Sequence, residues 1–318
     1  MLHASNCADC GERLQIAASV AQVRWQNRIR ERFVFDRLDH RPEPGELMDL
    51  TRFMHGGPAR LLFCANCGTA QRDESAEADY AADIYDLDLL KHLYPRYLAA
   101  FQHKQPFYRA LIRPHADVLE LGSHLGAFLE AAETWCWKPT GIDVGHDTSS
   151  FARERGLRVI REELQDANIP AHSQDAVFIW NCFEQLDDAP AVLRAARQVL
   201  KGHGLLTVRV PNFALYQRLA PHAARNDSVR QILAYNNLLG FPYQTGYTPA
   251  SLSAILKANG FEPISGLNSH LLTAPYPEVT PEIERESREA FSIHSGTTPE
   301  PPHSLHGPWI EMISRKSS

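Results

Sequence analysis

Two sets of residues in this chain have the types and spacing to do chemistry. The first is a pair of C-x-x-C knuckles, "CADCG" with Cys7 and Cys10, and "CANCG" with Cys64 and Cys67. Thiolates at that spacing can reach one tetrahedral ion, and the glycine that follows lets backbone amides turn toward the sulfurs. Four sulfurs, from Cys7, Cys10, Cys64 and Cys67, make a ligand set for a closed structural zinc site. The second set lies in "DVLELGSHLGAF", Asp117 to Phe128, and in "PTGIDV", which ends on Asp143 and Val144. Gly122 and Gly126 allow backbone to approach a ligand closely at a strand-to-helix turn. Their spacing is not that of the dinucleotide fingerprint G-x-G-x-x-G. Glu120, two places before Gly122, would repel a pyrophosphate but suits an ammonium group. Asp143, at the end of a strand, can take both hydroxyls of a ribose. The ligand so described has a ribose, a positive amino group and no phosphates.

The elements that must place these residues follow from the pattern around them. Up to about residue 75, strand-like runs such as "VRWQNRIRERFVF" and "ARLLFC" lie between the two knuckles. The 53 residues from 11 to 63 exceed what a simple ribbon uses, so an inserted strand section is expected there. A helical linker over 76–112 follows, with a break or kink expected at Pro95. From 113 onward, short apolar strands alternate with helices: "DVLEL", "PTGIDV", "RVI", "DAVFIW" and "GLLTVRV" are five strands. "TSSFARERG" reads as a helix, with Thr148 and Ser149 as its caps. This alternation predicts a parallel sheet covered on both faces. Residues 213–247, rich in aromatic and amide side chains, read as a cap insertion, and "FEPISGLNS" and "PWIEMISR" as closing strands.

Composition narrows the function classes. The 318 residues are 44% hydrophobic and 22% charged, with no apolar run near the length of a membrane span. The N-terminus has neither the basic start nor the apolar stretch of a signal peptide, which predicts a cytoplasmic protein with reduced thiols. A net charge of −6 gives no support to a nucleic-acid substrate.

Residues 115–212 resemble a class I S-adenosylmethionine (SAM)-dependent methyltransferase. "ELGSHLG" is similar to the first motif of that family at Glu120, Gly122 and Gly126, and "GIDV" to the second at Asp143. "IREELQDANIP", "QDAVFIWNCFEQL" and "QVLKGHGLLTVRVPN" resemble the three segments that follow, in order. The resemblance implies a Rossmann-like seven-stranded sheet, SAM as cofactor, and cofactor contacts at Glu120, Leu121, Gly122, Ser123, Gly126, Asp143, Val144, Glu163, Leu164 and Asn181. His124 stands where many relatives carry a glycine, so its side chain either points away from the cofactor or lines its pocket. Glu184–Gln185 stands where many relatives have Glu–His. Relatives with a zinc-ribbon-like section ahead of the core include deoxysugar C-methyltransferases, which implies a small-molecule acceptor such as a sugar nucleotide or a secondary-metabolite intermediate.

A base is needed only if the methyl acceptor must lose a proton. His124 is the first candidate, with Tyr216 and His222 in the cap beside it. Arg28, Arg30 and Arg32 alternate, so on a strand they share one face, read as a solvated face with a site for a phosphate or a carrier's acidic surface as the alternative. Two other readings remain open: a SAM-binding or zinc-anchored interaction module without turnover, and an NAD-dependent enzyme, which the charge of Glu120 disfavours. For the cysteines, a redox pair or a metal-free ribbon stands beside structural zinc.

Overall fold

A computed structural model describes residues 7, 12–13, 15–20, 59–72, 87–219, 244–269 and 299–317. The expected strand "VRWQNRIRERFVF", Arg28–Arg32 within it, Cys10, His222 and most of the cap insertion lie outside these residues. In chain order, the first elements are β1 (Gln15–Val20), β2 (Ala59–Phe63) and β3 (Ala70–Arg72), then α1 (Leu87–Gln102) and α2 (Gln105–Leu111). The alternating section follows: β4 (Asp117–Leu121), α3 (Ala127–Thr134), β5 (Lys138–Ile142), α4 (His146–Glu154) and β6 (Val159–Ile160). It continues through β7 (Gln174–Trp180), α5 (Ala189–Val199), β8 (Leu200–Pro211) and α6 (Phe213–Leu219). Last come β9 (Thr245–Gly246), α7 (Pro249–Ala258), β10 (Phe261–Ser269) and β11 (Trp309–Lys316).

The large sheet has seven strands in the order β10-β11-β8-β7-β4-β5-β6. Strands β6, β5, β4, β7 and β8 run parallel, β11 pairs antiparallel with β8, and β10 pairs antiparallel with β11. This is the Rossmann-like methyltransferase sheet that the sequence predicts. Its central strands are continuous apolar runs because helices cover both faces. Along β7, Phe178 and Trp180 turn to one face and Val177 and Ile179 to the other. The first face is aromatic: Phe101, Tyr108, Phe128, Trp135 and Trp137 pack there from α1, α2 and α3 and the turn after it. The second is aliphatic, with Leu193 of α5 and Leu256 of α7 against Leu119, Leu206 and Met312.

One local expectation is narrowed and another corrected. Helix α1 continues through Pro95 without a break. Pro95 is exposed, as is Lys91 one turn before it, so water can satisfy the carbonyl that loses its donor, while buried Tyr94 and Phe101 hold the helix on either side. Helix α4 begins at His146 with Gly145 as its N-cap, ahead of Thr148 and Ser149. The Thr148 hydroxyl is used instead by Asp143, to which it donates at 2.9 Å.

The small sheet has the order β1-β2-β3-β9. Its fourth strand comes from far along the chain: Gly246 pairs with Ala70 and Thr245 with Gln71. The knuckle hairpin therefore docks on the segment that leads into α7, and the side of Gly68 faces the Thr248 hydroxyl.

Candidate cofactor site

The carboxyl ends of β4, β5 and β7 meet at the glycine turn. The Gly122 and Ser123 amides both donate to the Ile142 carbonyl, at 2.8 and 3.0 Å, which pins the turn to the end of β5. Gly122 has φ +70 and Gly126 φ +79, in the left-handed region that favours glycine. Their open sides face different groups. A Cβ on Gly122 would stand 2.8 Å from the Cys182 sulfur, at the end of β7. A Cβ on Gly126 would meet Leu157 at 2.5 Å and Ala152 at 3.1 Å, so this glycine lets α3 pack against α4 and the turn after it. His124 shares the left-handed backbone, with φ +50.

Asp143 is fixed by three donors. The His124 amide donates to Oδ2 at 2.6 Å, and the Gly145 amide and Thr148 hydroxyl donate to Oδ1 at 2.9 Å each. A carboxylate has about four acceptor sites, so one remains, on Oδ2. It can take one ribose hydroxyl as it stands; a two-hydroxyl grip requires one of the loop donors to let go.

Glu120 is almost wholly buried and its Oε2 has no hydrogen-bond partner. Burial, with the Asp143 charge second, pushes its carboxyl well above the ordinary range. A buried acceptor without a donor is costly, and an ammonium group is the donor that would relieve it. The half-buried His124 imidazole is held below its usual pKa by desolvation, opposed by the attraction of Asp143. Desolvation therefore favours its neutral form.

Most of the expected cofactor residues come together here: Glu120, Leu121, Gly122, Ser123, Asp143 and Val144 surround the turn, and Asn181 directly follows β7. Asn181 has φ +53, and its side-chain oxygen accepts from Arg209 Nη1. The Leu121 carbonyl accepts from the Cys182 thiol at 3.3 Å. Glu163 and Leu164 lie in the loop after β6. The Glu163 side chain is exposed and accepts from Gln165, while Leu164 is buried in the aliphatic core. Tyr216 lies in α6, directly after β8. The buried Asn212 starts that helix by accepting from the Ala214 amide at 3.0 Å.

Three residues beside the turn escape the sequence pattern: Thr148, Cys182 and Glu184. Glu184 sits in a short 3-10 turn, Phe183–Gln185, that follows β7. It is fully buried, and neither of its carboxylate oxygens has a hydrogen-bond partner. Burial raises its pKa to about 8, against the lowering influence of its own backbone amide, then of Arg209 and the Gln185 side chain. The sequence signals for it are a lone carboxylate in the apolar run "NCFEQL" and its place where many relatives carry the Glu of a Glu–His pair.

Beneath this end of the sheet lies a buried polar network. Lys104 Nζ donates to Glu311 Oε2 at 2.7 Å and to Ser269 Oγ at 3.1 Å. Tyr108 donates to Glu311 Oε1 at 2.6 Å, and Arg209 Nε to Ser269 at 3.0 Å. Arg209 also lies over the Trp309 ring, at 4.4 Å.

Cys7, Cys64 and Cys67 place their sulfurs within 4.8 Å of one another, with Cys7 and Cys67 3.6 Å apart. That separation is far beyond a disulfide bond and close to the ~3.8 Å expected between two thiolates on one tetrahedral zinc.

Comparison with known proteins agrees with this geometry. A family model described as a methyltransferase domain matches residues 90–265, more than half of the chain. A probable S-adenosylmethionine-dependent methyltransferase of Mycobacterium tuberculosis is 32% identical over 135 residues, 41% of this chain and 46% of the relative. The chain thus spans about half the length of the curated relatives it matches. Among solved structures, a chain in the complex of the Haloferax volcanii Trm112 methyltransferase activator with a putative methyltransferase has a TM-score of 0.51 at 15% identity. That likeness covers 72% of this chain and 92% of the other. A possible histamine N-methyltransferase from Thermotoga maritima has a TM-score of 0.47 at 16% identity, over 72% of this chain and 96% of the other.

Proposed function

The chain belongs to the methyltransferase-domain family, and from that premise we propose that it is a SAM-dependent methyltransferase acting on a small-molecule acceptor. The carrying observation is the pairing of Asp143, oriented by three donors, with the buried and unpartnered Glu120 across one glycine turn. Asp143 would hold the ribose, and Glu120 the amino group. When bound, SAM supplies an electrophilic methyl group for in-line displacement. The protein's part is to orient the acceptor and exclude water. The neutral form of His124 is suited to take a proton from an acceptor that must lose one. Residues of the cap, Tyr216 and His222 among them, would border the acceptor. A sugar nucleotide or secondary-metabolite intermediate is the acceptor class we favour, with action in the cytoplasm.

Titration calorimetry with SAM, its demethylated product and NAD tests the cofactor. SAM or product should bind, and Asp143→Ala should weaken both; tight NAD binding without SAM binding would overturn the assignment. We further propose structural zinc on Cys7, Cys10, Cys64 and Cys67. The purified protein should then carry about one zinc per chain by elemental analysis, and Cys64→Ser should lose it.

A further inference from the structure

Three strand ends, not two, bring a carboxylate to the glycine turn. Glu120 is the penultimate residue of β4, Asp143 follows β5, and Glu184 follows β7. These strands are adjacent, in the order β7-β4-β5. The charges of all three carboxylates act on the Cys182 thiol, whose sulfur closes over Gly122. Glu184 is wholly buried with both oxygens unpartnered, and Glu120 is nearly so with one. Among the described residues, Arg209 of β8 is the cation that acts on Glu184, and no cation acts on Glu120 or Cys182. Strand β9, also packed on the Glu184 turn, brings only Thr245 and Gly246. The Gln244 amide at its edge donates to the Glu184 carbonyl at 2.9 Å, leaving the side chain unused. Its own backbone amide and the Gln185 side chain, like Arg209, act to lower the Glu184 pKa but do not offset its burial, and a cation that arrives with the ligand would favour the ionised carboxylate in this dry site.

We propose that Glu184 is a third carboxylate of the cofactor cradle, set to face the sulfonium of the methyl donor and so to make the site favour the cationic donor over its neutral sulfide product. This inference rests on the SAM-dependent reading above. Transfer of the methyl group removes the sulfonium charge, so the same carboxylate that holds the donor ceases to hold the product. Glu184 is then a specificity-determining residue, with a role in product release.

The test is calorimetric titration of the full chain with SAM and with S-adenosylhomocysteine, on wild type and Glu184→Gln, across about pH 6 to pH 9. Removing one facing charge should weaken SAM about tenfold and leave S-adenosylhomocysteine within about twofold. In wild type the preference for SAM should grow as pH rises through the Glu184 pKa of about 8, and in Glu184→Gln that rise should vanish. Equal losses for the two ligands, or no loss for either, would overturn the inference while leaving the cofactor assignment intact. If Glu184→Gln does not fold, the wild-type comparison still decides: a SAM preference that does not change with pH overturns the inference. Failure of wild type to bind either ligand would instead overturn the cofactor reading, and this inference with it.

Discussion

The seven-stranded sheet and the four-stranded sheet hold their functional groups by different means. In the large sheet, Glu120 and Glu184 are placed by packing: apolar strands carry them to their ends, and helices on both faces close around them. In the small sheet, Cys7, Cys64 and Cys67 converge through a short hairpin and a distant segment, with a two-residue strand, β9, closing the edge. Packing can force a carboxylate into a dry site at a cost in stability. For the small sheet, the zinc proposed on its cysteines would supply the cross-link. The prediction with the largest effect breaks this comparison or keeps it. Zinc removal by a strong chelator, or Cys64→Ser, should abolish hydrogen-exchange protection over 59–72 and leave it in β4, β7 and β8. Structural zinc contributes on the order of 10 kcal/mol in small domains. Loss of protection in both sheets would mean that β9 and α7 make them one cooperative unit.

Within the large sheet, the contrast between buried and exposed ion pairs can be sharpened. Lys104 and Glu311 are both fully buried and 2.7 Å apart. Lys104→Ala strands Glu311 in the core, and should cost about 3–5 kcal/mol in denaturant unfolding. Lys201 bridges Asp117 and Asp175 at 3.2 and 2.7 Å at the other end of the strands, where it is a third exposed. Lys201→Ala should cost about 1 kcal/mol or less. A similar loss from both would show that the Lys104 network is wetter than its burial indicates.

The parallel part of the sheet was legible in the sequence because its five strands are short runs alternating with helical periodicity, and the two antiparallel strands, β10 and β11, also lie where closing strands are expected. The glycine turn was legible as well, since Glu120, Gly122 and Asp143 carry both a pattern and a chemical reason. Cys182 and Glu184 were not. Their role arises when the end of β7 is laid beside the end of β4, across a sequence separation of 61 between Leu121 and Cys182. The small sheet was legible in its cysteines and in "ARLLFC", which forms β2. Nothing in "QTGY" marks a strand, and Thr245–Gly246 becomes one because β3 offers it an unpaired edge.

The next effect, a few kcal/mol, concerns pH. Glu120 and Glu184 have folded pKa values above the usual carboxylate value, well above it for Glu120 and about 8 for Glu184. Between the unfolded value and these, the folded protein binds more protons than the unfolded chain. Stability is therefore fully present at the acid end of that window and falls as pH rises toward 8. Glu184→Gln removes one of the two groups, so the melting temperature of the variant should decline less between about pH 6 and pH 8.5 than that of wild type. An equal decline in both proteins would show that Glu184 finds a partner in solution, such as a bound water.

The smallest effect separates backbone from side chain at the glycine turn. His124 holds φ +50, a conformation that costs a non-glycine residue about 1 kcal/mol. Its amide, not its imidazole, makes the 2.6 Å hydrogen bond to Asp143. His124→Gly keeps that amide and relieves the strain, although glycine also gives the unfolded chain more freedom. The net shift should be a stabilisation of about 1 kcal/mol or less, or ~2–4 °C in melting temperature. SAM binding should be unchanged, because the turn and Asp143 keep their geometry. If turnover then falls while binding holds, the imidazole itself handles the acceptor's proton. If turnover also holds, His124 only lines the turn. A loss of SAM binding would show that the imidazole, despite its non-glycine backbone, is part of the wall that the cofactor needs.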